Sequence, residues 1–272
     1  MPTYITADDV RRATGAPTDL ISDDYINDAI DLVEVEVARW LNTEFRPTQR
    51  IDVLDGNGRN IIFTDKNPLL FVRYLKTNDT EIAINELNIY KPSGGISLSS
   101  ASSTSSFILK DKSVIIKYLF GYVVDDALTT SAAAISAGTS VNMEVADSSS
   151  FSATDWVRII GTDGNEEYCQ ITAIPDSTHI TLDEVYLSHS SGSLVYKQVC
   201  PDTIKRFIEI ESGINIAVYA IGGTYDFNTS YSLGNLSVNK GEPYPQWREV
   251  FQRLTNERKA LLEKIKIRPK IV

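Results

Sequence analysis

The C-terminal part of the chain, from Pro201 to Pro269, contains two amphipathic helical patterns that cannot be buried by themselves. The first begins at Pro201-Asp202-Thr203, where Pro suits the first helical position, and it stops at Gly222-Gly223. The second follows Pro243 and Pro245 and ends before Pro269. The apolar stripes are Ile204, Phe207, Ile208, Ile214, Ala217, Val218 and Ile221 in the first helix, and Trp247, Val250, Phe251, Leu254, Leu261, Leu262 and Ile265 in the second. Both stripes need an upstream partner.

The N-terminal sequence offers such a partner. Thr6 and Asp9 form a capping-box pattern for a short helix that ends at Gly15. Ser22 then caps a longer helix, with Asp23 and Asp24 placed favourably in its first turn. The spacing predicts a buried face made of Ile26, Ala29, Ile30, Val33, Val37, Trp40 and Leu41. We therefore predict that the N-terminal and C-terminal helices share one core.

From about Arg50 the apolar period changes to two, which indicates strands. Residues 49–64 predict a β-hairpin that turns at Asp55-Gly-Asn-Gly58. A calcium loop is the alternative for this turn, although the later acidic ligands are missing. Further short strands are predicted at 68–75, 82–90, 107–110 and 113–122, and the Ser- and Gly-rich stretch 93–106 predicts an exposed loop.

A second block of short strands follows the Ala-, Ser- and Thr-rich connector 127–139. Strands are predicted at 140–146, 155–161, 166–174, 179–182 and 193–199, which is typical of a small sandwich or barrel. The block leads directly into the helix at Pro201, so we interpret it as an insertion. The predicted fold is α+β: residues 1–129 and 199–272 form a helical bundle with small antiparallel β elements, and residues 130–198 form an inserted all-β sandwich-like or barrel-like domain.

Charge limits the classes of partner. A net charge of −10 argues against tight binding to phosphate backbones, and no apolar run approaches the length of a membrane span. Residues 1–46 carry ten acidic and four basic side chains, whereas residues 246–272 carry three acidic and eight basic ones. This asymmetry fits either an ordinary solvated surface or an acidic body with a basic end that docks on an acidic partner. Cys169 and Cys200 are predicted to be small buried side chains.

The sequence gives little support for catalysis. The chain has two histidines, His179 and His189, and no nucleophile-elbow spacing, zinc pattern or phosphate-binding Gly-rich loop accompanies them. We expect no enzyme activity, no cofactor and no metal.

Once residues 130–198 are set aside, the remaining chain resembles a known family. Lys117-Tyr-Leu-Phe-Gly-Tyr122, followed by Cys200-Pro-Asp-Thr-Ile-Lys205 and by Leu233-Gly-Asn-Leu-Ser-Val238, is similar to the head–tail connector (adaptor) proteins of long-tailed bacteriophages. The resemblance covers roughly residues 4–125 and 200–268. It implies a structural virion protein of the phage neck, made in the host cytoplasm. Such a protein forms a ring, usually a dodecamer, between the portal protein and a stopper or tail-completion protein, and DNA passes through without specific binding.

The resemblance also implies two sites. A basic tail, Lys264, Ile265, Lys266, Ile267, Arg268, Pro269, Lys270 and Ile271, corresponds to the family segment that reaches the portal. A loop containing Tyr225, Phe227, Tyr231, Leu233, Asn235 and Lys240 corresponds to a segment near the channel or the next subunit. A frayed terminus and an ordinary surface connection are the alternatives. The alternative function is a multimeric binding module whose β domain recognises a glycan or another surface ligand.

Overall fold

The protein is richer in β-structure than its sequence patterns predict. A computed structural model describes residues 4–18, 21–102, 104–223, 230–233, 236–239 and 245–265. Strands make up 39% of the structure and helices 30%. The predicted helical bundle with small β elements is therefore wrong. Local periodicity detected the strands separately, but it did not show that they pair over long distances into antiparallel sheets of six, four, three and two strands.

Among the described elements, the helices lie toward the two ends of the chain and most strands lie between them. The helices are α1 (Ala7–Thr14), α2 (Asp23–Leu41), α3 (Asp202–Gly223) and α4 (Pro245–Lys264). The strands are β1 (Thr48–Gly56), β2 (Ile61–Phe63), β3 (Leu69–Thr77), β4 (Thr80–Ile82), β5 (Leu87–Tyr90), β6 (Gly95–Leu98), β7 (Lys110–Phe120), β8 (Val124–Thr130), β9 (Gly138–Glu144), β10 (Trp156–Ile160), β11 (Glu166–Asp176), β12 (His179–Val185), β13 (Leu194–Val199), β14 (Ser230–Leu233) and β15 (Leu236–Asn239).

The chain divides into two compact units, residues 1–41 with 202–272 and residues 42–201. The predicted boundaries at 130 and 198 stay a prediction. The first unit is mainly helical, and α3 packs against α1, α2 and α4. Helices that are far apart in the sequence therefore share one unit, as their apolar stripes required. None of the described helices is both long enough and apolar enough to cross a membrane.

The helix boundaries follow the predicted caps. Thr6 and Asp9 form the predicted capping box, and Gly15 adopts a left-handed conformation with φ of 72° at the end of α1. The hydroxyl of Ser22 accepts a hydrogen bond from the backbone N–H of Tyr25 at 3.3 Å, at the start of α2. Arg11 ties α1 to α2, because its guanidinium ion-pairs with Asp23.

A close crossing of helices occurs at Gly213 of α3. A Cβ atom at this position would lie 3.0 Å from both Leu254 of α4 and Thr14 of α1. The helices can approach this closely only because glycine has no side chain. The core contains most of the predicted stripe residues, but Val218 and Trp40 are 53% and 59% exposed, so their predicted burial is wrong.

The second unit begins with two sheets that share one core. The four-stranded sheet has the order β1-β7-β3-β4, and the three-stranded sheet has the order β2-β6-β5. Their core includes Leu75, Ile96, Phe107, Ile116 and Tyr118. The predicted β1–β2 hairpin is wrong: the chain does turn at Gly58, yet β1 pairs with β7 and β2 pairs with β6.

The predicted exposed loop at residues 93–106 is also wrong in part. Gly95–Leu98 forms β6, and all four of its residues are buried. The alternation of Ile96 and Leu98 with the small residues Gly95 and Ser97 lets this strand lie inside the core between β2 and β5. The Ser- and Gly-rich composition concealed a buried strand.

The rest of the second unit is a six-stranded antiparallel sheet with the order β8-β13-β10-β11-β12-β9. Strands are present in all five segments predicted between residues 140 and 199. β8 occupies part of the predicted connector. A bridge between Ser131 and Val145 joins the ends of the two outer strands, which brings the sheet round on itself. Its interior contains Met143, Val157, Ile159, Ile171 and Leu182.

Candidate functional site

A groove in the helical unit lies between α2 and α4, with α3 beneath it. Its volume is about 390 Å³, and its lining residues are Val33, Glu36, Val37, Trp40, Phe207, Glu211, Asn215, Arg258 and Leu262. The ring of Trp40 stacks on that of Phe207 with 6.0 Å between centroids. The indole therefore forms one wall of the groove while most of its surface faces solvent.

The direction of the helices sets the two ends of the groove. Near its start, α3 contacts the end of α2 through Phe207 and Trp40, and near its end it contacts the start of α2 through Tyr219 and Tyr25, whose ring centroids are 4.2 Å apart. The helices α2 and α3 are thus antiparallel. The helix α4 is also antiparallel to α3, since Arg206 bonds to Glu257, and Leu254 lies beside Gly213.

Acidic groups border this groove. Glu211 forms an ion pair with Arg258, so its charge is compensated. Glu36 is exposed, and the described part of the chain offers it no ion-pair partner. The groove therefore combines an apolar floor with one uncompensated carboxylate, Glu36, at its rim.

The residues of the predicted tail and loop are only partly covered by the structure. Lys264 is the last residue of α4, and the next residue, Ile265, is buried and donates its backbone N–H to the Leu261 carbonyl at 2.9 Å. Tyr231 and Leu233 lie in β14, which pairs with β15. The remaining predicted residues lie outside the described part: Lys266, Ile267, Arg268, Pro269, Lys270, Ile271, Tyr225, Phe227, Asn235 and Lys240.

A larger cleft, of about 930 Å³, lies in the second unit beside β3 and β12. Its charged lining residues are Arg73, Lys91, Lys117, Glu81, Glu166 and Glu184, so the formal charges cancel. Lys91 Nζ lies 2.6 Å from Glu166 Oε1, and Lys117 Nζ lies 3.3 Å from the Tyr186 hydroxyl. The cleft is therefore polar but close to neutral.

Arg73 fixes one side of this cleft. Its guanidinium lies between two aromatic rings, 5.7 Å from the centroid of Trp156 and 5.3 Å from that of Tyr186. It also donates hydrogen bonds to Gln49 at 2.9 Å and to Asp183 at 3.4 Å. These contacts hold β3 against the six-stranded sheet.

Neither histidine forms a catalytic arrangement in the described residues. His189 Nε2 contacts Glu167 Oε1, but both side chains are fully buried. His179 Nδ1 bonds to Asp176 on a surface turn. Within the described ranges, no group of three or more His, Cys, Asp or Glu side chains is placed to hold a metal. Cys169 and Cys200 are buried free thiols, as predicted, and burial raises the pKa of the Cys169 thiol.

Sequence reasoning missed the groove because it assigned Trp40 to the buried stripe of α2. The available signal was the i, i+4 pair of Glu36 and Trp40, which puts a charge directly beside the indole on one flank of the helix. A charged residue next to a large aromatic residue on the same flank of a helix is typical of the edge of an apolar stripe, where side chains are partly exposed. Neither the family models nor the curated proteins compared with this chain gave a match.

Proposed function

We propose that this chain is a structural protein of a tailed-phage neck, which forms a ring adaptor between the portal and a stopper or tail protein. The observation that carries the proposal is the helical unit: α2 ends at Leu41, α3 begins at Asp202, and both belong to one compact unit. This is the arrangement that the resemblance implies. In this proposal the helical unit is the scaffold of the ring subunit, and the β-rich unit of residues 42–201 is available for further contacts.

The charge distribution supports passage of DNA through such a ring. With a net charge of −10, an acidic channel wall repels phosphate and leaves the duplex free to slide. A basic wall would instead bind phosphate and slow the movement. Under this proposal the purified protein does not retain double-stranded DNA at moderate salt.

The test is direct assembly. The full chain is mixed with the portal protein encoded in the same genome and imaged by electron microscopy, and native mass spectrometry counts the subunits. We expect rings attached to one face of the portal, with twelve copies as the count that the resemblance implies. Absence of rings and of any portal complex, over a wide range of protein concentration, would overturn the proposal.

A second candidate function is supported by the cleft beside β3. A neutral polar cleft with the aromatic side chains Tyr74 and Tyr186 and the amides Asn85 and Asn165 has the chemistry for a neutral polar ligand such as a glycan. The test is retention of the full chain by host surface polysaccharides. Retention that is lost in Tyr74→Ala favours this function, whereas no retention by any polysaccharide rules it out.

A further inference from the structure

The chemistry of the groove between α2 and α4 favours an occupant that is both cationic and apolar. Its floor and walls are formed by Val33, Val37, Phe207 and Leu262 together with the exposed indole of Trp40. Glu36 adds a negative charge at the rim that no described residue compensates. An occupant that buries the indole and brings a positive charge to Glu36 would satisfy both features.

The C-terminal segment of the chain has this composition in a regular pattern. From Ile265 to Ile271 the residues alternate as Ile-Lys-Ile-Arg-Pro-Lys-Ile. In an extended backbone successive side chains point to opposite sides. Such a segment would place Ile267, Pro269 and Ile271 on one side, and Lys266, Arg268 and Lys270 on the other. One side matches the apolar floor, and the other can bring a positive charge to Glu36 at the rim.

The length of the C-terminal segment also agrees with the length of the groove. The groove follows α3 from Phe207 to Asn215, a distance of about 12 Å at ~1.5 Å per helical residue. The seven residues Lys266–Val272 can span up to ~25 Å when extended. The segment is thus long enough to leave its own helix and still fill the groove.

The direction of α4 favours the groove of another copy over that of the same copy. Because α4 is antiparallel to α3, its C-terminal end lies at the Trp40 and Phe207 end of the groove. The bond from the Ile265 N–H to the Leu261 carbonyl continues the helical direction beyond Lys264. A segment that continued in this direction would move away from its own groove at the open end, and it would have to reverse direction at once to enter that groove.

We propose that residues Lys266–Ile271 of one copy dock in the α2–α4 groove of a second copy. The contact is heterologous, since the tail of each copy meets the groove of the next, and repeated contacts of this kind generate a ring when the rotation closes. The inference rests on the proposed ring and gives it a subunit contact. It also assigns the tail to the neighbouring subunit, whereas the family resemblance points to the portal.

Cross-linking between two single-cysteine variants tests the docking. One carries Ile271→Cys in the tail, the other Asn215→Cys in the groove, and the native thiols are buried in both. After mixing and treatment with a short bis-maleimide, we expect a covalent heterodimer. The matched control replaces Asn215→Cys by Arg12→Cys, an exposed position on α1 outside the groove, and should give none. No heterodimer, or only an internal link in the double variant Asn215→Cys/Ile271→Cys, would overturn the proposal.

Peptide binding gives an independent measurement. A labelled peptide of residues Lys264–Val272 is titrated into a chain shortened to end at Ile265. We expect saturable binding that is weakened by about fivefold to tenfold in Glu36→Lys, the effect of one surface ion pair that is reversed. Trp40→Ala should weaken it similarly, while circular dichroism confirms that both variants are folded. Equal binding to all three proteins would contradict docking in this groove.

A failure of the docking proposal can be distinguished from a failure of the adaptor proposal. If portal rings form but neither cross-link nor peptide binding is seen, the adaptor function stands and the docking is wrong. If docking is found without any portal complex, the groove is a self-association site and the adaptor function fails.

Discussion

His189 Nε2 lies 2.6 Å from Glu167 Oε1, and neither side chain has any exposed surface. The Glu167 carboxylate also accepts the backbone N–H groups of Tyr186 at 2.8 Å and Leu187 at 3.3 Å. One carboxylate on β11 therefore fixes the segment after β12 and the turn that carries His189. A buried polar group of this kind is stable only while its partners are present.

Replacing Glu167 by alanine should destabilise the second unit strongly. The substitution removes the partner of the fully buried His189 side chain and the acceptor for two half-buried N–H groups, so we expect the free energy of unfolding to fall by about 2–4 kcal/mol. Glu167→Gln keeps one carbonyl acceptor, so its free energy of unfolding should fall by less. Urea denaturation measures both, with the exposed Glu144→Ala on β9 as control. A Glu167→Ala variant as stable as the control would show that the buried contacts are unimportant.

Replacing Arg73 tests the packing of its guanidinium between Trp156 and Tyr186. The side chain is only 5% exposed. Arg73→Met removes the donor to Gln49 Oε1 and the charged partner of Asp183, and we expect the free energy of unfolding to fall by about 2–4 kcal/mol. Arg73→Lys should not restore stability, because an ammonium group cannot stack between two rings as a planar guanidinium does. Arg59→Lys, at an exposed position, is the control. Full rescue by lysine would contradict the stacking.

A methyl group cannot be accommodated at Gly56. A Cβ there would lie 1.8 Å from the Ile108 carbonyl oxygen and 2.6 Å from Ser113 Oγ. We expect Gly56→Ala to lower the stability by about 2 kcal/mol or more, since backbone atoms must move. Gly138→Ala is the matched control in another strand, where the nearest atom is 3.6 Å away. Equal melting temperatures for the two variants would refute this prediction.

Asp176 should titrate at unusually low pH. Hydrogen bonds from His179, and from the N–H and hydroxyl of Thr178, lower its pKa from 3.8 to about 2. Because the folded pKa is depressed, the stabilising effect is present above pH 3.8 and is lost as the pH falls through about 2.

Carbon-detected NMR of the Asp176 carboxyl group measures this pKa directly. Thr178→Ala removes the hydroxyl donor, so its titration midpoint should move back toward the ordinary value. Thr172→Ala, which removes another surface hydroxyl on β11, should leave the midpoint unchanged. A midpoint near 3.8 in the unmodified protein would contradict the observed hydrogen bonds.

Local sequence patterns were sufficient for the helices and for many strands. The capping residues Thr6, Asp9 and Gly15 act within a few residues of one another, so the start and end of α1 follow from the sequence alone. The partners of strands do not follow in this way. β1 pairs with β7, which begins at Lys110, and nothing in the sequence near Thr48 specifies a partner so distant.

The groove shows the same limit for a functional surface. Helical spacing places Trp40 near the apolar side of α2, and its exposure depends on where α3 and α4 lie in the folded unit. The adaptor function and the roles of the tail and loop stay predictions from the sequence resemblance. The buried contact of His189 with Glu167 was likewise hidden, because Glu167 lies in β11 and His189 lies in the connection between β12 and β13.

The adjacent positions of β8 and β13 have a mechanical consequence. Val124 is paired with Val199, so the chain enters and leaves the six-stranded sheet at one end of the same ladder. Tension transmitted along the backbone would pull these two strands apart from that end, and their hydrogen bonds would break one after another rather than all together in shear. The six-stranded sheet would therefore yield at low force and lengthen the molecule, which makes it an extensible element rather than a rigid strut.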